Sequence, residues 1–545
     1  VADLIFSGGR VWTGVPGRPL AEALAVRDGR IAGVGRDDEV LPLAGSGTVL
    51  VPLEGRTLLP GFVDAHLHLV AGGYSLSQVA LGEVESRQGL ARRLESWAAR
   101  LPEGQWITGG GWDHERWGGA LPARDWIDAV TPDHPVLVHR LDLHMALANT
   151  RALERAGIDA STPDPPGGLL LRDGEGRLTG LLKDRAIDLV ADRIPRADAA
   201  AREAAIRAAG RHLLARGVTQ AHDMGTLGDS DESWQNLASY RSLRERDCLR
   251  LRVYAFVPLA HRARLADYVA EHGRGDAWLR WGGVKGFVDG SLGSGTAWMN
   301  EGFADEPGNR GLTLTDPDEL RRGVEEADAA GLHVAVHAIG DRANDMLLDA
   351  FQAAVRTNGP RDRRFRVEHA QHLSPGAVAR FGEEGVVASV QPYHLADDGR
   401  WAARRLGPER TRRSWPLASL LAGGARLAFG SDWTVAPPDP VRALAAAVTR
   451  RTLDGAHPDG WIPEERIPLE AALRAHTGEA AWAGFMDGWT GRLVPGASAD
   501  LVVLDRDLFA LPAKEWTEAC VEETVVEGRV EYRRGDEPQE EEGAA

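Results

Sequence analysis

LLPGFVDAHLHL, residues 58–69, runs through apolar and small residues and closes on two histidines one residue apart, His66 and His68. In an extended strand the side chains alternate between faces, so positions i and i+2 point the same way and two imidazoles so spaced can meet one metal ion. The segment reads as a strand that delivers a histidine pair to the rim of a sheet. A His-x-His match alone fits an ordinary surface pair equally well, so its meaning depends on what surrounds it.

Outward from this segment the chain alternates apolar strand candidates with helical patterns, the rhythm of parallel βαβ units. Eight candidates recur: GFVDAHLHL, GVTQAHDMG, LRVYAFV, GGVKGFVDG, LHVAVHAIGD, RFRVEHAQH, GVVASVQPY and RLAFGSDW. Helix-like runs over 199–216, 318–330, 344–355 and 414–422 lie between them. Eight repeats are what a (β/α)8 TIM-like barrel requires, and we place it at 59–480. The stretch from about 72 to 195 breaks the rhythm with short strands and Gly-rich turns. It reads as an insertion after barrel strand 1, expected to overhang the C-terminal rim and supply a substrate pocket.

Both chain ends have a different texture. LIFSGGRVWTG, ALAVRDGRIAGVG and GTVLVPLEG near the start, and ADLVVLDRD and VEETVVEGRVEYRRG near the end, are short β-rich segments between Gly, Pro and Asp. They predict a small β-sandwich domain built from residues 1–58 and 481–535, followed by an acidic, disordered tail at 536–545. An α/β barrel with insertions absorbs most of a 545-residue chain.

The 63 Lys and Arg against 80 Asp and Glu leave a net charge of −17, which disfavours nucleic acid and anionic membrane surfaces. No apolar run is long enough to span a bilayer, and VADLIFSGGRVWTG lacks the basic head and apolar centre of a signal peptide. Cys248 and Cys520 are too few for a disulfide framework and have no metal-ligand spacing. A cytoplasmic protein is the expectation. Lysine is scarce: Lys183, Lys285 and Lys514 are the only ones, and every other basic side chain is arginine.

Polar residues fall at corresponding places on the candidate strands. His66 and His68 end the first, Lys285 lies in the fourth, His337 ends the fifth, His369 the sixth and Asp432 the eighth. In a barrel these ends converge on the rim where active sites of the architecture are built. Alone, His337 or His369 fits a buried histidine bonded to backbone, Asp432 a turn cap, and Lys285 a snorkelling side chain. Their shared placement favours one metal-binding cavity.

LLPGFVDAHLHL, GGVKGFVDGSLGSGTA, VAVHAIGDRAND, RVEHAQHL, QPYH, LAFGSDW and GRLVPGASADLVVLD, in this order, resemble the amidohydrolase superfamily. The likeness is nearest to its amidohydrolase-3 branch of YtcJ-like metal-dependent hydrolases, relatives of N-substituted formamide deformylase, and covers nearly the whole chain. It implies that His66, His68 and Asp432 hold one ion, usually zinc, and that His337 and His369 hold a second. The same resemblance implies that Lys285, carbamylated on its amine, bridges the two. A protonated lysine cannot bind a cation, whereas a carbamate is a carboxylate-like anion on a long arm, and arginine cannot form it. Imidazole and carboxylate ligands also accept iron, manganese or cobalt.

The implied chemistry is hydrolysis of a C–N bond in a small-molecule amide, N-acyl or N-formyl compound by a metal-activated hydroxide, with Asp432 carrying the proton from water to the leaving amine. Cyclic-amide hydrolysis or deamination on the same barrel is the enzymatic alternative, and a regulatory protein that keeps the fold without turnover is the non-catalytic one. Homodimerisation is compatible with the sequence, though no pattern specifies it.

Other residues are candidates for substrate contact or ligand support: His372 in EHAQHL, His394 in QPYHL, His144 and Asn149 in DLHMALANTRAL, and His222, which ends the second strand and could face the cavity. Asp289 and Asp341 are expected to orient loops or ligands. GGGWDHERWGG lacks the Lys-Ser/Thr ending of a phosphate loop and the setting of a dinucleotide fingerprint, and reads as a flexible pocket wall. Trp106, Trp112, Trp117 and Trp126 suit either an apolar substrate wall or an ordinary core.

Overall fold

The protein's structure, a computed structural model, describes residues 1–141, 145–165, 168–195, 197–226 and 231–536. It forms two compact units, Val1–Val70 with Ile206–Ala545, and Ala71–Ala205. The larger holds eight parallel strands in sequential order: β1 (Phe62–Leu67), β2 (Val218–Asp223), β3 (Arg252–Pro258), β4 (Leu279–Phe287), β5 (His333–Ala338), β6 (Arg366–His369), β7 (Val387–Val390) and β8 (Arg426–Phe429). Each of the eight sequence candidates overlaps one, although β3 runs one residue past its candidate and β4 begins three residues before its own. Strands such as β3 and β7 are buried at every position, which explains their continuous apolar runs; parallel strands covered on both faces have no solvent side to alternate toward.

The last strand returns to the first. Asp432 N–H donates to the His66 carbonyl at 2.7 Å, and the approach at Gly430 is so close that a side chain there would lie 2.5 Å from the His66 backbone nitrogen. Between strands lie amphipathic helices. Pro317–Ala329 starts at Asp316, whose side chain accepts from Asp318 and Glu319 N–H, with Pro317 preset for the first turn. Asp341–Asn358 buries Ala343, Leu347, Phe351 and Ala354 along one stripe.

Both chain ends build one β structure. Thr57–Pro60 lies antiparallel to Leu501–Leu504, Leu59 opposite Val502, within a six-stranded sheet that also holds Arg10–Trp12, Leu20–Ala21, Val521–Val526 and Arg529–Arg533. A four-stranded sheet of Leu4–Ser7, Ala23–Arg27, Arg30–Gly35 and Val49–Pro52 shares its apolar core, in which Phe6 and Leu24 meet Leu58, Val503 and Val525. Segment 58–69 is thus divided: its first residues belong to the sandwich, and the barrel strand begins after Gly61. The acidic tail lies almost wholly outside the described residues. Among those described, no helix is long and apolar enough to cross a membrane.

The unit Ala71–Ala205 has a six-stranded sheet of its own. Its tryptophans pack inward rather than forming a substrate wall: Trp112 is fully buried with Nε1–H bonded to the Val138 carbonyl at 2.9 Å, and Trp117 and Trp126 pack on the same core. The Gly-rich run is regular in its first residues. Ile107–Trp112 is a strand, and at Gly110 a side chain would stand 2.1 Å from the His139 carbonyl oxygen, so glycine permits the pairing.

Candidate metal centre

At the C-terminal ends of β1 and β8, His66 Nε2 and His68 Nε2 each lie 3.4 Å from Asp432 Oδ1. The backbone sets this convergence. Asp64 accepts from both His66 N–H (3.1 Å) and Ser431 N–H (3.0 Å), tying the strand that carries the histidines to the turn that carries Asp432. His68, one residue past β1, donates its N–H to the Trp433 carbonyl at 2.8 Å. Burial raises the Asp64 carboxyl to about 6 against these hydrogen bonds.

Hydrogen bonds on the far side of each ring decide which nitrogen faces the cavity. His68 Nδ1 is 2.7 Å from the Gly225 carbonyl, which can only accept, so Nδ1 carries a proton and Nε2 is the nitrogen that faces Asp432. His66 Nδ1 likewise meets Glu368 Oε2 at 2.6 Å. His337 is held the other way round: Nε2 reaches the Gly290 carbonyl at 3.0 Å, leaving Nδ1 as the acceptor. Its ring centroid is 4.4 Å from that of His369, which in turn is 5.0 Å from His66.

Two groups of donors have ligand atoms all within 4.8 Å of one another, His66 with His68 and Asp432, and His369 with His394 and Asp432. His369 Nδ1 and His394 Nε2 are buried without a hydrogen-bond partner among the described residues. Orphaned imidazole nitrogens beside a shared carboxylate suit a divalent cation, so the donor set fits a metal. His369 and Asp432 both hold left-handed backbone, φ 77° and 58°. By strand alternation His369 would face away from Glu368; the positive φ breaks the alternation at the strand's last residue and such strain is concentrated at functional sites.

Lys285 Nζ stands 3.4 Å from His66 Nε2. Burial lowers its amine to about 8, against the pull of Glu368 and Asp432. Burial works to raise the Asp432 carboxyl, but His66 and His68 overcome it and hold it well below the usual carboxylate range. The His337 imidazole is driven down to about 3 by burial and by Lys285, so it stays neutral.

The remaining candidates divide. His394, on the helix Pro392–Asp398, joins the cluster. Asp289 accepts from Trp298, Ile339 and Gly340 N–H, and Asp341 from Asn300 and Arg342 N–H, so both carboxylates hold loop backbone. Three expectations need correction. His222 does not turn to the cluster: its Nδ1 accepts from Arg366 at 3.0 Å and its Nε2 lies 3.0 Å from the side-chain amide of Gln220. His372 is committed to Ser414 Oγ at 2.8 Å and Gln371 at 3.1 Å. Asn149 caps the helix Thr150–Ala156 and spends its amide on Thr131 and His134, which leaves nothing for a substrate. His144 lies outside the described residues.

Sequence reading missed Glu368 and Arg366, although both stand in the quoted RVEH. A Glu and an Arg two apart in a buried strand share a face, and burial obliges them to pair.

Comparison with known proteins follows the same lines. The model described as Amidohydrolase family matches residues 50–532. Protein LONG AFTER FAR-RED 3 of Arabidopsis thaliana is 42% identical over 98% of this chain and 92% of its own. The N-substituted formamide deformylase of Arthrobacter pascens is 28% identical over 98% of each chain. Among solved structures, an uncharacterized metal-dependent hydrolase from Pyrococcus furiosus superposes with a TM-score of 0.74 at 30% identity, covering 92% of this chain and 99% of that one.

Proposed function

Because the chain belongs to the amidohydrolase family, we propose that it is a hydrolase of the C–N bond in a small N-acyl, N-formyl or related amide, working at the histidine-lined rim of β1 to β8. One observation carries the reading: His66 and His68, their tautomers set from behind, converge with Asp432 at 3.4 Å. The similarity to a formamide deformylase supports an amide as substrate.

His66, His68 and Asp432 would hold one divalent cation, and His337 and His369 a second, with Lys285 between them. Zinc is the expected metal, and iron, manganese or cobalt suit the same donors. A cation held there supplies Lewis acidity, which makes water a nucleophile near neutral pH and polarises a carbonyl oxygen. Lys285 could join the ligand set only as a carbamate, which its neutral amine would form with carbon dioxide by making an N–C bond and releasing one proton. Asp432 takes a proton from the attacking water and returns it to the leaving nitrogen. The carbonyl carbon thereby gains oxygen, its bond to nitrogen breaks, and an acid and an amine depart. His394, whose partnerless Nε2 lies with His369 and Asp432, would serve that second cation or the substrate.

Elemental analysis of purified protein, joined to a screen of linear amides, cyclic amides and aminated heterocycles, tests this. The expected result is bound cation and release of amine from linear amides, abolished by chelation and restored by metal. Preference for a ring substrate would favour the cyclic-amide or deaminase alternative, and cation without turnover of any substrate the regulatory one. Full turnover after exhaustive chelation would overturn the proposal.

A further inference from the structure

Glu368 is a fully buried carboxylate beside the cluster, and the proposed reaction does not use it. Its Oε2 accepts from His66 Nδ1 at 2.6 Å. Arg366 occupies the rest of it, with Nε on Oε1 at 2.8 Å and Nη2 on Oε2 at 3.1 Å. Arg366 is itself fully buried; its Nη2 also lies within hydrogen-bonding reach of the Ala65 carbonyl at 2.5 Å and Ser389 Oγ at 3.0 Å, and Nη1 reaches His222 Nδ1 at 3.0 Å. One guanidinium therefore joins β1, β2, β6 and β7 inside the barrel.

We propose that Arg366 and Glu368 form a positioning pair that fixes His66 as a cation ligand while withholding Glu368 from the ligand set. This rests on the metal-centre reading above. A carboxylate bonded to Nδ1–H admits one tautomer and one ring orientation, and makes Nε2 a better donor. Both Glu368 oxygens are engaged, so Glu368 cannot swing to compete for the ion. Arg366 holds that carboxylate against four strands, and an isolated buried charge would be far costlier than the pair. His222 serves the same end one step back, by accepting from Arg366.

The test is Glu368→Gln in the full chain, compared with wild type and with Glu368→Asp. Cation affinity is read by competition with a chelator, and the His66 tautomer by nitrogen NMR of metal-free, histidine-labelled protein, assigned through His66→Asn. The pair predicts an affinity loss of about 10- to 100-fold in Glu368→Gln, a mixture of His66 tautomers, and an intermediate loss in Glu368→Asp. A merely structural role would lower stability and leave the affinity and tautomer of folded protein alone. Unchanged affinity with an intact Nδ1–H tautomer would overturn the inference. If Glu368→Gln does not fold, the wild type decides: His66 carrying its proton on Nε2 overturns the pair. Wild type that binds no cation removes the metal-centre reading, whereas wild-type affinity indifferent to Glu368 removes only the positioning pair.

Discussion

Asp432 is bound to His66 twice: its N–H donates to the His66 carbonyl at 2.7 Å, and its Oδ1 lies 3.4 Å from the same residue's Nε2. Barrel closure and assembly of the site are therefore one event, because the bond that returns β8 to β1 also aims the carboxylate.

Asp432→Asn separates the two roles. It keeps the backbone bond and nearly the same shape, but removes the charge that draws a cation and the base that carries a proton. We expect the fold to persist, metal content to fall, and kcat/KM of metal-saturated protein to drop about a hundredfold to ten-thousandfold. Steady-state kinetics at saturating metal, with elemental analysis alongside, checks this. Wild-type kinetics in the variant would remove Asp432 from the chemistry.

Lys285→Arg asks whether the lysine acts as an amine or as a charge. Arginine keeps the positive charge but forms no stable carbamate. Bound metal should fall below the wild-type ratio, and added bicarbonate should fail to restore it, whereas metal-stripped wild type should reload better with bicarbonate present. Equal metal content in the two proteins, with equal activity, would leave Lys285 a packing residue.

The barrel was legible because its strands are bracketed by turn residues and the rim residues sit at or near strand ends, Lys285 two residues inside its own. His66, His68, Lys285, His337, His369 and Asp432 could be picked out from that position. What sequence could not convey was direction. His222 lies one residue from the end of its strand and His369 ends its own, yet one bonds Arg366 within the barrel and the other joins the cluster. His369 also holds a left-handed backbone, a choice that no local pattern announces. Asn149 misled for a similar reason: an Asn before a helical run is foremost a cap, and here it is one.

Buried neutral histidines predict loss of stability in acid. Burial lowers His476 to about 4 and His372 to about 3. Each takes up a proton on unfolding below its ordinary value near 6.5. Their contribution is therefore complete above that pH and is lost as pH falls toward the folded values, by about 1.4 kcal/mol for each pH unit separating the folded value from the ordinary one. Asp398, raised by burial to about 8, acts oppositely, since its contribution is lost as pH rises toward 8. The net curve mixes these signs, so the informative quantity is a difference. Denaturant unfolding of metal-free protein between about pH 7 and 4 should show a shallower acid loss in His476→Asn than in wild type, by up to about one proton. Parallel curves would show that His476 titrates normally.

Arg252 and Asp500 make a buried ionic link between barrel and sandwich. Arg252, on β3, donates through Nε to Asp500 Oδ2 at 2.6 Å and through Nη2 to Oδ1 at 3.1 Å, while Oδ1 also accepts from Ser498 Oγ and Glu527 N–H. Both side chains are almost entirely buried. Removing one charge from such a pair leaves the other desolvated and uncompensated, which costs about 3–5 kcal/mol. Asp500→Asn should therefore lower unfolding free energy by about that much, although the isosteric amide keeps the size and part of the hydrogen bonding. Asp500 immediately precedes the sandwich strand Leu501–Leu504 and touches none of the metal donors, so metal content per folded chain should stay at the wild-type value. A loss of metal in folded Asp500→Asn would mean that the sandwich governs the geometry of the barrel rim; unchanged stability would mean that Arg252 finds compensation elsewhere, in Ser498 and the Ala277 carbonyl it already reaches at 2.8 Å.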